Sequence, residues 1–115
     1  MPKYMLLMYH PSDQSYVPPP EVLQAERPKW AQFAQDLHEA GAFVSNHGLQ
    51  SPDSATTVRV RDGEAQITDG PFAETKELLG GYFVIEVADL DAALEWAQKV
   101  PSVAYGAVEI RPVWG

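Results

Sequence analysis

The 115-residue chain contains no cysteine. That excludes disulfide bridges, thiolate nucleophiles and cysteine-ligated zinc or iron–sulfur centres, and it fits a cytoplasmic protein. Basic residues are scarce: 8 Lys and Arg stand against 16 Asp and Glu, for a formal net charge of −8. So acidic a chain repels phosphate backbones, and no basic stripe interrupts the pattern, so nucleic acid is not expected as a direct partner. Long apolar runs are missing too. None approaches the roughly 18 residues of a membrane span, so no membrane is expected either. The opening "MPKYMLLMYH" has no small-residue cleavage site and reads as a first strand rather than a signal peptide. Neither a repeat nor a low-complexity tail is present.

What is there is apolar enough to fold. The hydrophobic share is 45%, which supports one domain over residues 1–115 with a real core. "KYMLLMY" (3–9) reads as a buried strand. "HPSDQSYVPPP" is a proline-rich loop. Residues 21–40 contain a helix, with Trp30, Phe33, Ala34 and Leu37 on one apolar face and Leu23 one heptad before Trp30. Pro28 either kinks that helix or begins its main part, and Gly41 suits its C-cap. A second strand ends near His47-Gly48. "TTVRVR" (56–61) and "EAQIT" (64–68) flank Asp62-Gly63, a strong hairpin signal. "GYFVIEV" (81–87) is a strand. Asp89 caps a second helix with Leu90, Ala93, Leu94 and Ala97 as its apolar face, Pro101 stops it, and "AVEIRPV" (107–113) is the last strand.

The expected class is α+β. With the hairpin taken as an insertion, the order is the ferredoxin-like βαββαβ, two helices covering one face of an antiparallel sheet. Tyr4, Leu6, Met8, Tyr82 and Val84 put large apolar groups on both strand faces. A second subunit stacked sheet on sheet would bury the other face, so a homodimer is expected.

Between the hairpin and the next strand lies "TDGPFAETKELLGG" (68–81), longer than a simple connection needs. Asp69 can accept turn hydrogen bonds, Gly70 can take a positive φ, and Pro71 fixes the next residue. Phe72 can anchor the loop. The functional reading makes Gly70, Pro71, Phe72, Thr75, Lys76, Glu77 and Tyr82 line a small-molecule pocket; the plain reading makes the loop a capped turn. Glu74 and Glu77 would share a face if this segment were helical. A catalytic reading takes His10, at the end of the first strand, with Asp69 and Glu74 as acid–base groups. His10 and His47 could join a carboxylate around a metal only if their strand ends met, and no HxH or HxxxH spacing supports this, so no metal or other cofactor is expected. His38 reads as a solvated helix residue. Trp114 could anchor the last strand on a partner subunit.

"ATTVRVRDGEAQITDGPFAETKELLGGYFVIEVADLDAALEWAQKVP", with "VEIRPV" after it and "KYMLLMY" and "GLQSP" before it, resembles the DGPF type of YCII-related proteins. The resemblance implies a dimeric α/β barrel. It implies a bacterial context in which such proteins are linked to sigma factors of the extracytoplasmic-function group, making a sigma factor an expected partner. It assigns no reaction. Members of the wider superfamily carry a proposed catalytic histidine near the start of the first helix and an aspartate after the second. The matching segments "RPKW" (27–30) and "KVPSV" (99–103) place Trp30 and Val100 there. An indole accepts no proton and a valine orients no imidazole, so that mechanism is not carried over. The residues leave a small-molecule-binding or regulatory dimer as first expectation, with acid–base or lyase-like chemistry on a small substrate, aromatic compounds included, as the alternative.

Overall fold

The computed structural model describes residues 1–11, 19–70 and 77–114. In chain order these form β1 (Lys3–Pro11), α1 (Pro20–Glu39), β2 (Phe43–Gly48), β3 (Thr56–Arg61), β4 (Glu64–Asp69), β5 (Glu77–Glu86), α2 (Leu90–Ala97) and β6 (Ala107–Pro112), with single 3₁₀ turns at Pro52–Ser54 and Pro101–Ala104. Four strands make one sheet in the order β2-β5-β1-β6, and every neighbouring pair is antiparallel. Strands β3 and β4 form a separate two-stranded ribbon. Without that ribbon the order is βαββαβ, consistent with the expected ferredoxin-like arrangement.

Both helices lie on one face of the four-stranded sheet. Leu6, Phe83, Ile85 and Val87 from the strands meet Phe33 and Leu37 of α1 and Ala93 and Ala97 of α2 in one buried cluster. Each fully buried aliphatic side chain there contributes about 1.5–3 kcal/mol. The ring of Phe33 meets Phe83 edge-on at 5.1 Å.

Helix α1 runs through Pro28 as one element. The proline removes one donor, but Gln24, whose carbonyl loses it, is exposed and open to water. The helix ends in a Schellman motif: the Gly41 amide donates to the His38 carbonyl, the Ala42 amide donates to the Leu37 carbonyl, and Gly41 takes φ +70°. The side chain of Leu23 lies outside the described part. In α2 the Asp89 carboxylate accepts from the Ala92 amide at 2.9 Å, the expected cap. The apolar face of α2 differs from expectation. Ala93 and Ala97 are buried, while Leu90 and Leu94 are exposed. Two alanines let the helix backbone approach the sheet closely, and Trp96 fills the flank instead of the leucines.

The ribbon turns at Asp62 and Gly63, both with positive φ (52° and 78°), as a two-residue I′ hairpin requires. Its base is tied by the Thr57 hydroxyl, which donates to the Gly70 carbonyl at 2.8 Å, and by the Gly70 amide, which donates to the Ala55 carbonyl. Gly70 has φ +103°, the positive value expected of it.

Candidate ligand-binding site

The two glycines that close the signature loop lie inside β5, which begins at Glu77, four residues before the strand read from sequence. They mark close approaches rather than a turn. A Cβ on Gly81 would lie 2.8 Å from the His47 carbonyl oxygen, and one on Gly80 would lie 3.0 Å from Cδ2 of His10. Around Gly80 the β1–β5 register shifts by one residue, the signature of a bulge, which re-aims side chains at functional sites.

Beside this bulge, between α1 and the sheet, is a cavity of about 300 Å³. Met8, Trp30, Ala34 and Phe83 give it apolar walls, and Asn46, His47, Gly48 and Gly80 line the rest. Each wall has a local cause. Trp30 and Ala34 are i and i+4 on α1, so they share a face. Met8 and Phe83 point to the helix side by strand alternation, one residue out of phase with Leu7 and Tyr82. The rings of Trp30 and Phe83 are parallel to within 2°, with centroids 6.3 Å apart. Gly48 and Gly80 contribute only backbone to the lining. The volume is at the small end for ligand sites, which are mostly apolar with a few polar groups.

His10 is not one of the lining residues, but its ring lies beside Gly80, which is. Its Nδ1 is 3.3 Å from the Pro11 carbonyl, which can only accept, so Nδ1 carries the proton in that contact. Nε2 is then the acceptor, on the edge of the ring that faces Gly80. One turn before Trp30, Glu26 is 8% exposed, the most buried carboxylate among the described residues. The Tyr105 hydroxyl donates to it at 3.0 Å. Sequence reading missed this pair. The available signal was that Glu26 falls on the stripe that includes Trp30, Phe33 and Leu37.

The other expected residues fall elsewhere. Pro71, Phe72, Glu74, Thr75 and Lys76 lie outside the described residues. Asp69 ends β4 and pairs with Thr56 at the ribbon base. Glu77 pairs with Pro11 beside His10 in extended backbone; the shared face considered for Glu74 and Glu77 rests on Glu74, outside the described residues. Tyr82 points to the sheet face opposite Phe83 and shares a hydrogen bond of 2.9 Å with Nδ1 of His47. His10 and His47 do not meet. β5 separates their strands, and their partners on it, Leu78 and Tyr82, are four residues apart, which puts the two histidines roughly 16 Å apart from strand spacing and rise. Among the described residues no cluster of three His, Asp or Glu could hold a metal. His38 is exposed, and its ring stacks on Phe43 at 4.0 Å.

On the sheet face away from the helices, the Tyr9 hydroxyl donates to Glu109 at 3.2 Å, and Arg111 pairs with the same carboxylate at 2.7 Å. Burial and the bond to Glu109 push the Tyr9 phenol above its ordinary pKa. The Arg111 guanidinium holds the Glu109 carboxyl below its own.

The model of the YCII-related domain matches residues 2–115. The chain belongs to the YCII-related family. An uncharacterised protein of Rhizobium meliloti (strain 1021) is 40% identical over 77 residues, which cover 65% of this chain and 62% of that protein. The match thus spans less than two thirds of that relative. In this YCII-related chain, Trp30 lines the cavity and Val100 is 1% exposed within the core. Among the described residues, no helix is long and apolar enough to cross a membrane.

Proposed function

We propose that this YCII-related protein binds a small, compact ring compound in the cavity between α1 and the sheet, and that it acts as a cytoplasmic regulatory homodimer. The observation that carries the reading is the cavity wall of Trp30, Met8, Ala34 and Phe83, with Asn46 as its polar contact. Trp30 presents a broad face at little entropic cost to a flat apolar ligand. The dimer is supported by the uncovered sheet face, where Met5, Leu7, Tyr82 and Val84 are only half-buried. A sigma factor is the regulatory partner suggested by the resemblance to DGPF-type proteins.

Thermal-shift and tryptophan-fluorescence titrations against phenols, quinones, common metabolites and metal ions test the reading. A bound compound at roughly 100 times its dissociation constant adds about 2.7 kcal/mol. Trp30→Ala should abolish that shift while the far-ultraviolet circular dichroism stays unchanged. An equal shift in Trp30→Ala would place the ligand elsewhere, and no shift across the panel would remove small-molecule binding as the function.

The alternative, acid–base chemistry on the same compound, is favoured by one feature. The Nε2 edge of His10 faces Gly80, a cavity wall. Turnover that is lost in His10→Ala while binding persists would establish it. Asp69 and Glu74 remain the other catalytic candidates, tested by the same single-alanine comparison.

A further inference from the structure

The β3–β4 ribbon is amphipathic across its two faces. The register pairs Val58 with Ile67 and Val60 with Ala65, so these four side chains share one face. Thr57, Arg59, Gln66 and Thr68 alternate to the other. The apolar face is bare: Val58, Val60 and Ile67 are 60%, 59% and 71% exposed. Among the described elements, β3 and β4 pack closely only on each other. The radius of gyration is 16.1 Å, against about 13 Å for a compact chain of this length. A two-stranded ribbon is marginally stable alone and needs something to pack on.

We propose that the apolar face of this ribbon is an arm that docks on a second copy of the chain and clasps the homodimer. The inference rests on the dimer reading above and adds its main anchoring contact. Area favours this occupant. The uncovered face of the four-stranded sheet, at ordinary strand spacing and rise, spans about 400 Å². A stable interface takes about 800 Å² from each partner. One ribbon face adds about 200 Å². In a two-fold dimer each protomer both extends its own arm and receives its partner's, so the arms supply the missing half. Asp62, Glu64 and Asp69 outnumber Arg59 and Arg61 on the ribbon, and with a net charge of −8 for the chain they argue against an anionic membrane surface as the occupant.

Sedimentation equilibrium on the full chain tests this. The double variant Val58→Lys/Ile67→Lys should raise the dimer dissociation constant roughly tenfold or more, while Gln66→Lys, on the opposite face, leaves it unchanged. Leu7→Glu, on the uncovered sheet face, separates the two ideas. If Leu7→Glu dissociates the dimer and the arm variant does not, the arm is overturned and the dimer reading stands. A wild-type chain that is monomeric at every concentration overturns both. A second readout is independent of charge. The chain has no cysteine, so Ile67→Cys takes a single polarity-sensitive fluorophore. Its emission should shift to the blue over the concentration range in which dimer forms. Emission typical of water throughout would overturn the arm, and a blue shift only with a different added protein would assign the face to that protein.

Discussion

The four-stranded sheet and the ribbon are built from the same kind of sequence and end in opposite states. Ile85 and Ile67 both stand on β-prone alternating strands, but Ile85 is 0% exposed and Ile67 is 71% exposed. Alternation decides which side chains share a face. It does not decide whether the face is covered. In the four-stranded sheet the cover comes from α1 and α2, a separate layer outside the strands' own alternating pattern. In the ribbon no cover comes from the described part of the same chain. Strand patterning is thus local information, and burial is a property of the partner layer.

The same substitution made in both sheets should have very different costs. Ile85→Ala removes a fully buried side chain and should cost about 2–5 kcal/mol in urea unfolding. Ile67→Ala, measured at dilutions where the chain is monomeric, should stay within about 0.5 kcal/mol. If the arm docks, the cost of Ile67→Ala should grow with protein concentration, whereas that of Ile85→Ala should not. Equal costs at high dilution would mean that the ribbon is already covered within one chain.

Gly81→Ala probes the covered sheet alone. The new Cβ meets the backbone of His47 and Gly48, which cannot rotate away, so we expect a loss of about 1–3 kcal/mol. Hydrogen exchange should show β2 losing protection along β5 while the β3–β4 amides are unaffected. A smaller effect is expected at the edge of the helix layer. Asp89→Ala removes the cap of α2 and should cost about 1 kcal/mol, again without touching the ribbon.

Much of this was legible from sequence because the signals were local. Asp62-Gly63 specified the hairpin, Asp89 the cap of α2, and the 30/33/34/37 spacing the buried side of α1. The misread parts depended on tertiary packing. Leu90 and Leu94 looked like the inner face of α2 until the sheet selected the alanines. The glycine pair after the signature loop looked like the end of a turn, but Gly80 and Gly81 serve close strand contacts that only the register shows. The cavity assembles from α1, β1, β2 and β5, so no one window of sequence contains it. Trp30 was singled out by resemblance for what it lacks as a base, and the structure gives it a position as a wall. Glu26 was hidden because a carboxylate on an apolar stripe reads as solvated until its partner, Tyr105, arrives from 79 residues away.

The smallest expected effect separates a wet sheet face from a covered one. Tyr9, Glu109 and Arg111 lie on the face away from the helices. Glu109 is held below its ordinary pKa by Arg111. Its contribution is therefore present above the ordinary carboxylate value and is lost as the pH falls through the lower folded value. Tyr9 is raised, so its contribution is present below the ordinary phenol value and is lost as the pH rises through the higher folded one. Near neutrality both contributions operate. The stability difference between wild type and Arg111→Met should then shrink on acidification. On a face open to water, salt at about 1 M should also suppress it, since screening acts within roughly 3 Å there. Under a second subunit the pair would be shielded from salt, and the difference should persist in salt at dimer concentrations and fade on dilution. Salt sensitivity that is the same at every protein concentration would place this face in water and move the weight of any dimer contact onto the arm.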